Sequence, residues 1–246
     1  MLFRSSGSMG HAAALGLGAA GANITISGGN RAALEEMAHL PELAGHVAVA
    51  AYRPDSPENA EAIVRTAVDA FGRVDGMLTA AGMNKVAPIV DMAVEDWESV
   101  MDANVKGSWL MAQAAGRVLL AQGEGGSVVL VSSTRGKLGH PAGYTAYCTS
   151  KAAVDLLGKT LAAEWGPEGI RVNVIAPTVF RSELTAWMYA DDEKGRATRE
   201  AMFARIPLKR FAEPEDFVGA LQYLLSDASA FVTGQVLYLD GGYTAC

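Results

Sequence analysis

Short β-branched runs alternate with longer helix-patterned segments along nearly the whole chain, and no other feature limits the fold as strongly. Residues 23–27 (Asn-Ile-Thr-Ile-Ser), 46–51, 75–79, 128–132, 171–177 and 235–239 read as strands, and 11–22, 31–39, 57–71, 95–122, 146–165 and 214–225 as helices. Strands separated by helices pair in parallel, with the helices crossing over the sheet. At 246 residues, half of them hydrophobic, the chain fits one α/β domain over 1–246, with no linker to divide it.

Composition removes several classes of partner. A net charge of -7, with scattered Lys and Arg, repels a phosphate backbone, so no nucleic acid is expected. Apolar stretches are broken by Gly or charge well before eighteen residues, and the N-terminus lacks the regions of a secretory signal. The expectation is a cytoplasmic protein with no membrane partner. Cys148, Cys246 and four scattered His residues make no zinc-ligand spacing, so neither a metal nor a disulfide is expected.

The chemistry is expected between Ser133 and Lys151. Tyr147 and Lys151 stand four apart at the start of a helical segment, so a phenol and an ammonium share one face about a turn apart. A fixed cation favours the phenolate and pulls its pKa down from about 10, which makes a tyrosine usable as an acid/base. Ser133, at the end of a strand-like run, brings a second hydroxyl towards the same place. Taken alone, a Tyr and Lys at this spacing more often form a solvated surface pair.

Other motifs accompany them: Asp-Ala-Asn-Val-Lys-Gly (102–107) precedes, and Arg-Val-Asn-Val-Ile-Ala-Pro (171–177) and Val-Thr-Gly-Gln-Val-Leu-Tyr-Leu-Asp-Gly-Gly (232–242) follow. In that order they resemble the short-chain dehydrogenase/reductase family over essentially the whole chain. The resemblance implies a Rossmann-type doubly wound parallel sheet and hydride transfer between a nicotinamide and a ketone or secondary alcohol. It implies Ser133, Tyr147, Lys151 and Asn104 as the catalytic set, with Asn104 bending its helix and holding a water next to the lysine. Cofactor contacts fall on Ser6, Ser8, Met9, Gly10, Asn30, Arg31, Gly82, Tyr147, Lys151, Pro177 and Val179. Relatives associate through the helices containing 104–120 and 150–165, which implies a homotetramer or homodimer.

The chain departs from the family pattern at its start. The first strand is truncated or missing, as though the chain started late, and the family's Thr-Gly-x-x-x-Gly-x-Gly turn falls on Phe3, Arg4, Ser8 and Gly10, where only the last glycine matches. Either Leu2 and Phe3 compensate, or cofactor binding suffers. Gly28, Gly29, Asn30 and Arg31 include no acid to accept the ribose hydroxyls of NAD, which favours NADP(H) over NAD(H) through Ser27, Asn30 and Arg31. Tyr52 and Arg53 replace the usual adenine-reading pair. Thr-Ala-Ala-Gly (79–82) lacks two family amides, which weakens the support of the sheet there.

Residues 178–205 form a long charged insertion, read as a substrate lid. Arg135, Lys137, His140 and Arg181 border the expected pocket; they suit a carboxylate or hydroxyl-rich substrate, or else pair with the acidic lid. A small carbonyl or alcohol compound such as a sugar acid or polyol is the first expectation, and a 3-oxoacyl thioester the second. The reading from another class is a weakly active scaffold with an impaired cofactor site.

Overall fold

The computed structural model describes every residue except Met1, Arg4 and Ala81, and every side chain but those and Leu2, Phe3, Glu183 and Leu184. Arg4, one of the replaced turn glycines, thus lies outside the described residues. Seven parallel strands form one sheet in the order β3-β2-β1-β4-β5-β6-β7. They are β1 (Leu2–Phe3), β2 (Ile24–Ser27), β3 (Val47–Ala50), β4 (Gly76–Thr79), β5 (Gly126–Val131), β6 (Ile170–Pro177) and β7 (Val236–Leu239). Helices α1 (Ser8–Ala19), α2 (Arg31–Ala38), α3 (Pro57–Phe71), α4 (Val94–Met101), α5 (Gly107–Gln122), α6 (Thr145–Trp165), α7 (Glu193–Arg205) and α8 (Pro214–Leu225) complete it.

Successive strand residues point to opposite faces, and here both faces are apolar. Met77, Val128, Leu130, Val172 and Val174 face α3, α5 and α6, meeting Ile63, Met111, Leu119 and Val154. Their neighbours Leu78, Val129, Val131 and Ile175 face α1, α2 and α8, meeting Ala14, Leu34, Phe217 and Leu221. The small residues of α1 let it approach α8 closely: a side chain at Gly16 would collide with Val218.

The first strand exists as two residues. Leu2 and Phe3 pair in parallel with Ile26 and Ser27 on one side and with Leu78 and Thr79 on the other, which closes the sheet at its centre. Leu2 and Phe3 thus stand in for the first strand over two residues. At the opposite edge of the sheet from the strands' C-terminal ends, a cavity of about 660 Å³ opens between β2 and β4, with Ile24, Thr25, Phe71, Gly76 and Leu225 in its wall. Thr25 Oγ1 is buried there without a hydrogen-bond partner.

The helical region expected over 95–122 is α4 and α5 joined by a π-turn at Asp102–Lys106. The charged insertion after β6 is ordered, as a 3-10 segment (Glu183–Tyr189) followed by α7. Asp192 caps α7 by accepting from Gly195 N–H (2.7 Å), and Arg199 ties the two pieces by donating to the carbonyls of Met188 and Ala190 (both 2.7 Å). Among the described residues no helix is long and apolar enough to cross a membrane.

Candidate active site

The C-terminal ends of β4, β5 and β6 and the first turn of α6 bring the candidate catalytic residues together. Ser133 follows β5 in extended conformation, 7% exposed, and its hydroxyl donates to the Pro177 carbonyl at the end of β6 (3.3 Å). The Arg135 N–H donates back to Ser133 Oγ (3.2 Å), which fixes the hydroxyl at the mouth of the following 3-10 turn. Tyr147 sits in the first turn of α6, and the Ser133 hydroxyl acts on its phenol.

Lys151 lies one turn along and is almost fully buried at 2% exposure. Its Nζ donates to the Val131 carbonyl (3.0 Å) and stands 5.7 Å from the centre of the Tyr147 ring. The expected juxtaposition of phenol and ammonium is therefore present. The expected fall in phenol pKa is not: burial holds Tyr147 above its ordinary value, and the Ser133 hydroxyl opposes this without overcoming it. Desolvation is the largest of the influences on the phenol, although the residue as a whole is only half-buried.

Asn104 occupies the centre of the π-turn and is fully buried. Its Oδ1 accepts from Met83 N–H (2.7 Å), and its Nδ2 donates to the Met83 carbonyl (2.9 Å) and to Ser150 Oγ (2.9 Å). The Ser150 hydroxyl donates in turn to the Tyr147 carbonyl (2.8 Å). One side chain thus pins the loop after β4 to the start of α6, and the wider helical turn is what lets it reach both. Sequence reasoning assigned Asn104 a water and a bend; its hold on Met83 and Ser150 depends on tertiary neighbours that no local pattern marks.

The residues expected at the cofactor divide into those that remain open to a ligand and those already engaged. Gly7 precedes α1 with no side-chain cap, so the first-turn amides of Ser8, Met9 and Gly10 lack a side-chain acceptor, an arrangement suited to a pyrophosphate. Ser6 is exposed at this mouth and Ser8 half-buried. Ser5, by contrast, is structural: it is buried, its N–H donates to the Ser27 carbonyl (3.0 Å) and its Oγ accepts from Ser27 N–H (3.1 Å).

At the end of β2, Asn30 caps α2 by accepting from Ala33 N–H (3.2 Å), and Arg31 pairs with Glu35 one turn on (3.4 Å). Arg53, which the sequence placed only near the adenine, lies against Gly29; any side chain at Gly29 would collide with its guanidinium. Gly82 is half-buried beside Met83, Pro177 ends β6, and the Val179 carbonyl accepts from Ala212 N–H (3.1 Å). Thr79 Oγ1 is buried without a partner at the position where the family amides are absent.

The four cations expected at the pocket separate in the same way. Arg181 pairs with Glu213 (3.1 Å) and covers the Tyr189 ring, and Lys137 covers Tyr238. His140 stacks at 4.3 Å on Tyr144, whose ring lies 6.3 Å from that of Tyr147, and Arg135 donates to the Tyr243 hydroxyl. None of the four pairs with the acids of 191–196; Asp191 is taken by Arg199.

Comparison with known proteins agrees with this geometry. A family model described as Enoyl-(Acyl carrier protein) reductase matches residues 4–244. An uncharacterized oxidoreductase of Mycobacterium tuberculosis is 65% identical over 241 residues, covering 98% of this chain and 89% of its own. The L-rhamnose 1-dehydrogenase (NAD(P)(+)) of a Sphingomonas species is 37% identical over 239 residues, covering 95% and 91%. Among solved structures, a gluconate 5-dehydrogenase from Burkholderia cenocepacia in complex with NADP and tartrate superposes with a TM-score of 0.90 at 29% identity, over 100% of this chain and 94% of that one. The hydroxyl pair on buried β5 and α6, the open α1 terminus and these matches together assign the chain to the short-chain dehydrogenase/reductase family, a family of oxidoreductases that use NAD(P).

Proposed function

We propose that this protein interconverts a ketone and a secondary alcohol on a small hydroxylated substrate, a sugar acid or polyol, with NADP(H). The observation that carries the reading is the buried Lys151 ammonium 5.7 Å from the centre of the Tyr147 ring, with the buried Ser133 hydroxyl beside the end of β6. A bound nicotinamide supplies or accepts the hydride. In the reducing direction Tyr147 gives its proton to the substrate oxygen while Ser133 holds that oxygen in place. Lys151 stabilises the resulting phenolate, and the Asn104 and Ser150 contacts keep the α6 turn that carries both groups in register.

The α1 amides receive the pyrophosphate, and Arg53 at Gly29 supplies positive charge where the ribose 2′-phosphate of NADP needs it. Arg31, expected with Ser27 and Asn30 at this position, makes an exposed pair with Glu35 at 3.4 Å. The relatives named for L-rhamnose and gluconate, and the tartrate of the superposed complex, support a sugar-type substrate.

A second copy of the chain is the proposed partner. Trp97, Trp109 and Leu156 are 40%, 47% and 64% exposed on α4, α5 and α6, beside a hollow of about 540 Å³ lined by Met101, Val105 and Leu157. Light scattering at micromolar concentration should give a dimer or tetramer.

Fluorescence titration with NADPH and NADH tests the cofactor reading. Saturable NADPH binding, weakened about 10- to 100-fold in Arg53→Ser while NADH changes little, supports it. No saturable binding of either nucleotide defeats the enzyme reading in favour of a scaffold.

A further inference from the structure

Two guanidinium groups, that of half-buried Arg135 and that of exposed Arg205, contact one buried ring, that of Tyr243. Arg135 donates from Nη1 to the Gly139 carbonyl (3.1 Å) and from Nη2 to the Tyr243 hydroxyl (3.2 Å). Arg205, the last residue of α7, holds its Cζ 4.3 Å from the centre of the same Tyr243 ring, against 5.7 Å for Arg135. Tyr243 is 1% exposed, so its ring is a fixed platform rather than a mobile surface group.

Neither guanidinium has a carboxylate within ion-pair distance among the described residues, whereas Arg181 and Arg199 nearby are matched with Glu213 and Asp191. The ring contacts account for the packing of the two side chains but use none of Arg205's five N–H donors and leave several of Arg135's unspent. Like charge is thus collected in one place without a counter-charge, close to the site: Arg135 is two residues from Ser133 and binds its Oγ through the backbone. The unrelieved field reaches His140, where burial first, then Arg135 and Arg205, hold the imidazole below its ordinary pKa.

On the reading that Tyr147 performs acid/base chemistry here, we infer that Arg135 and Arg205 form an anion subsite for a substrate carboxylate, which selects a sugar acid over a neutral polyol. One charge comes from the turn after β5 and the other from the end of the segment read as a lid. A carboxylate between them accepts hydrogen bonds from both, offsets one of the two charges and holds the end of α7 over the site. The hydroxyl groups of the substrate remain for Ser133, Tyr147 and the neutral His140.

Isothermal titration of D-gluconate, sorbitol and inorganic phosphate into the full chain, with and without NADPH, tests this in wild type, R205Q, R205K and R135Q/R205Q. Expected are saturable gluconate binding, at least about tenfold weaker sorbitol binding, and a loss for gluconate of about 10- to 100-fold in R205Q that R205K partly restores. The loss for sorbitol should be at least ten times smaller than that for gluconate. Absence of gluconate binding, equal losses for the acid and the polyol, or tighter binding of phosphate than of gluconate overturns the subsite. Tyr147→Phe separates the two readings: it should lower turnover by about 10²–10⁴-fold while the Arg-dependent preference for gluconate persists. If wild type shows that preference without any Tyr147-dependent turnover, the acid/base reading fails and the subsite stands.

Discussion

Replacing Asn104 by Ala and by Asp should have different pH signatures, and the difference can be worked from its contacts. The side chain makes three hydrogen bonds in a fully buried position. At about 1 kcal/mol net each, with the Met83 N–H and carbonyl losing their Asn104 partner, Asn104→Ala should cost about 3–5 kcal/mol. For a chain of this size each kcal/mol lowers Tm by about 2–4 °C, so a fall of roughly 6–20 °C is expected. Asn104→Asp keeps the acceptor for Met83 N–H but turns a carboxylate oxygen towards the Met83 carbonyl and towards a Ser150 hydroxyl already donating to Tyr147. Burial and these acceptors push the new carboxyl above its usual range. A raised folded-state value means that its stability is kept below the unfolded value of about 3.9 and lost as pH rises through the folded one. Between pH 4 and 8, Asn104→Asp should therefore lose stability relative to Asn104→Ala, by up to about 1.4 kcal/mol per unit of pKa shift. Thermal unfolding followed by circular dichroism at intervals across that range reads both. An Asp variant melting within about 2 °C of wild type at pH 7.5 would refute the hydrogen-bond assignment.

Other outcomes follow from the same contacts. Tyr147→Phe should lower kcat/KM by about 10²–10⁴-fold with the far-ultraviolet spectrum unchanged. Because burial raises the Tyr147 pKa, the folded state keeps its proton longer than the unfolded chain, so that contribution to stability is complete below about pH 10 and lost above it. Urea midpoints at pH 9 and 11 should accordingly fall further for wild type than for Tyr147→Phe. Thr25→Val removes a buried hydroxyl with no partner and should raise stability by about 1 kcal/mol, measured as a Tm gain of roughly 2–4 °C; a loss would mean that the hydroxyl is solvated through the adjoining cavity.

The parts of the fold that were legible in the sequence carry their own signals. Helix α3 runs from Pro57, with Ser56 accepting from Asn59 N–H, to the left-handed Gly72 (φ 77°), and α8 begins at Pro214, so start and stop residues located both. The π-turn carries no such mark, because Asp-Ala-Asn-Val-Lys is ordinary helical sequence and its extra width is set by Met83 and Ser150 from elsewhere. Arg31 and Arg53 show the same limit at the cofactor side. Arg31 stands at the expected position with an exposed partner, Glu35, in its own helix, while Arg53 reaches Gly29 because β3 lies beside β2. Arg205 could not be linked to Arg135 from sequence, since only the path of α7 and the buried Tyr243 ring bring them together. The direction of the Tyr147 shift is hidden for a related reason: spacing reveals the neighbouring ammonium but not the desolvation of the phenol.

The wide turn at 102–106 also sets the phase of what the helices show outward. Trp97 and Trp109 are twelve positions apart, which in an unbroken α-helix separates them by roughly 120° around the axis; one additional residue in the turn winds that back to roughly 20°. The two indoles thus share a stripe because of the same irregularity that lets Asn104 turn inward. Deleting a single residue between 102 and 106 should rotate the second indole off that stripe and withdraw the amide from its partners in one step, so that self-association and the scaffold behind the phenol fail together.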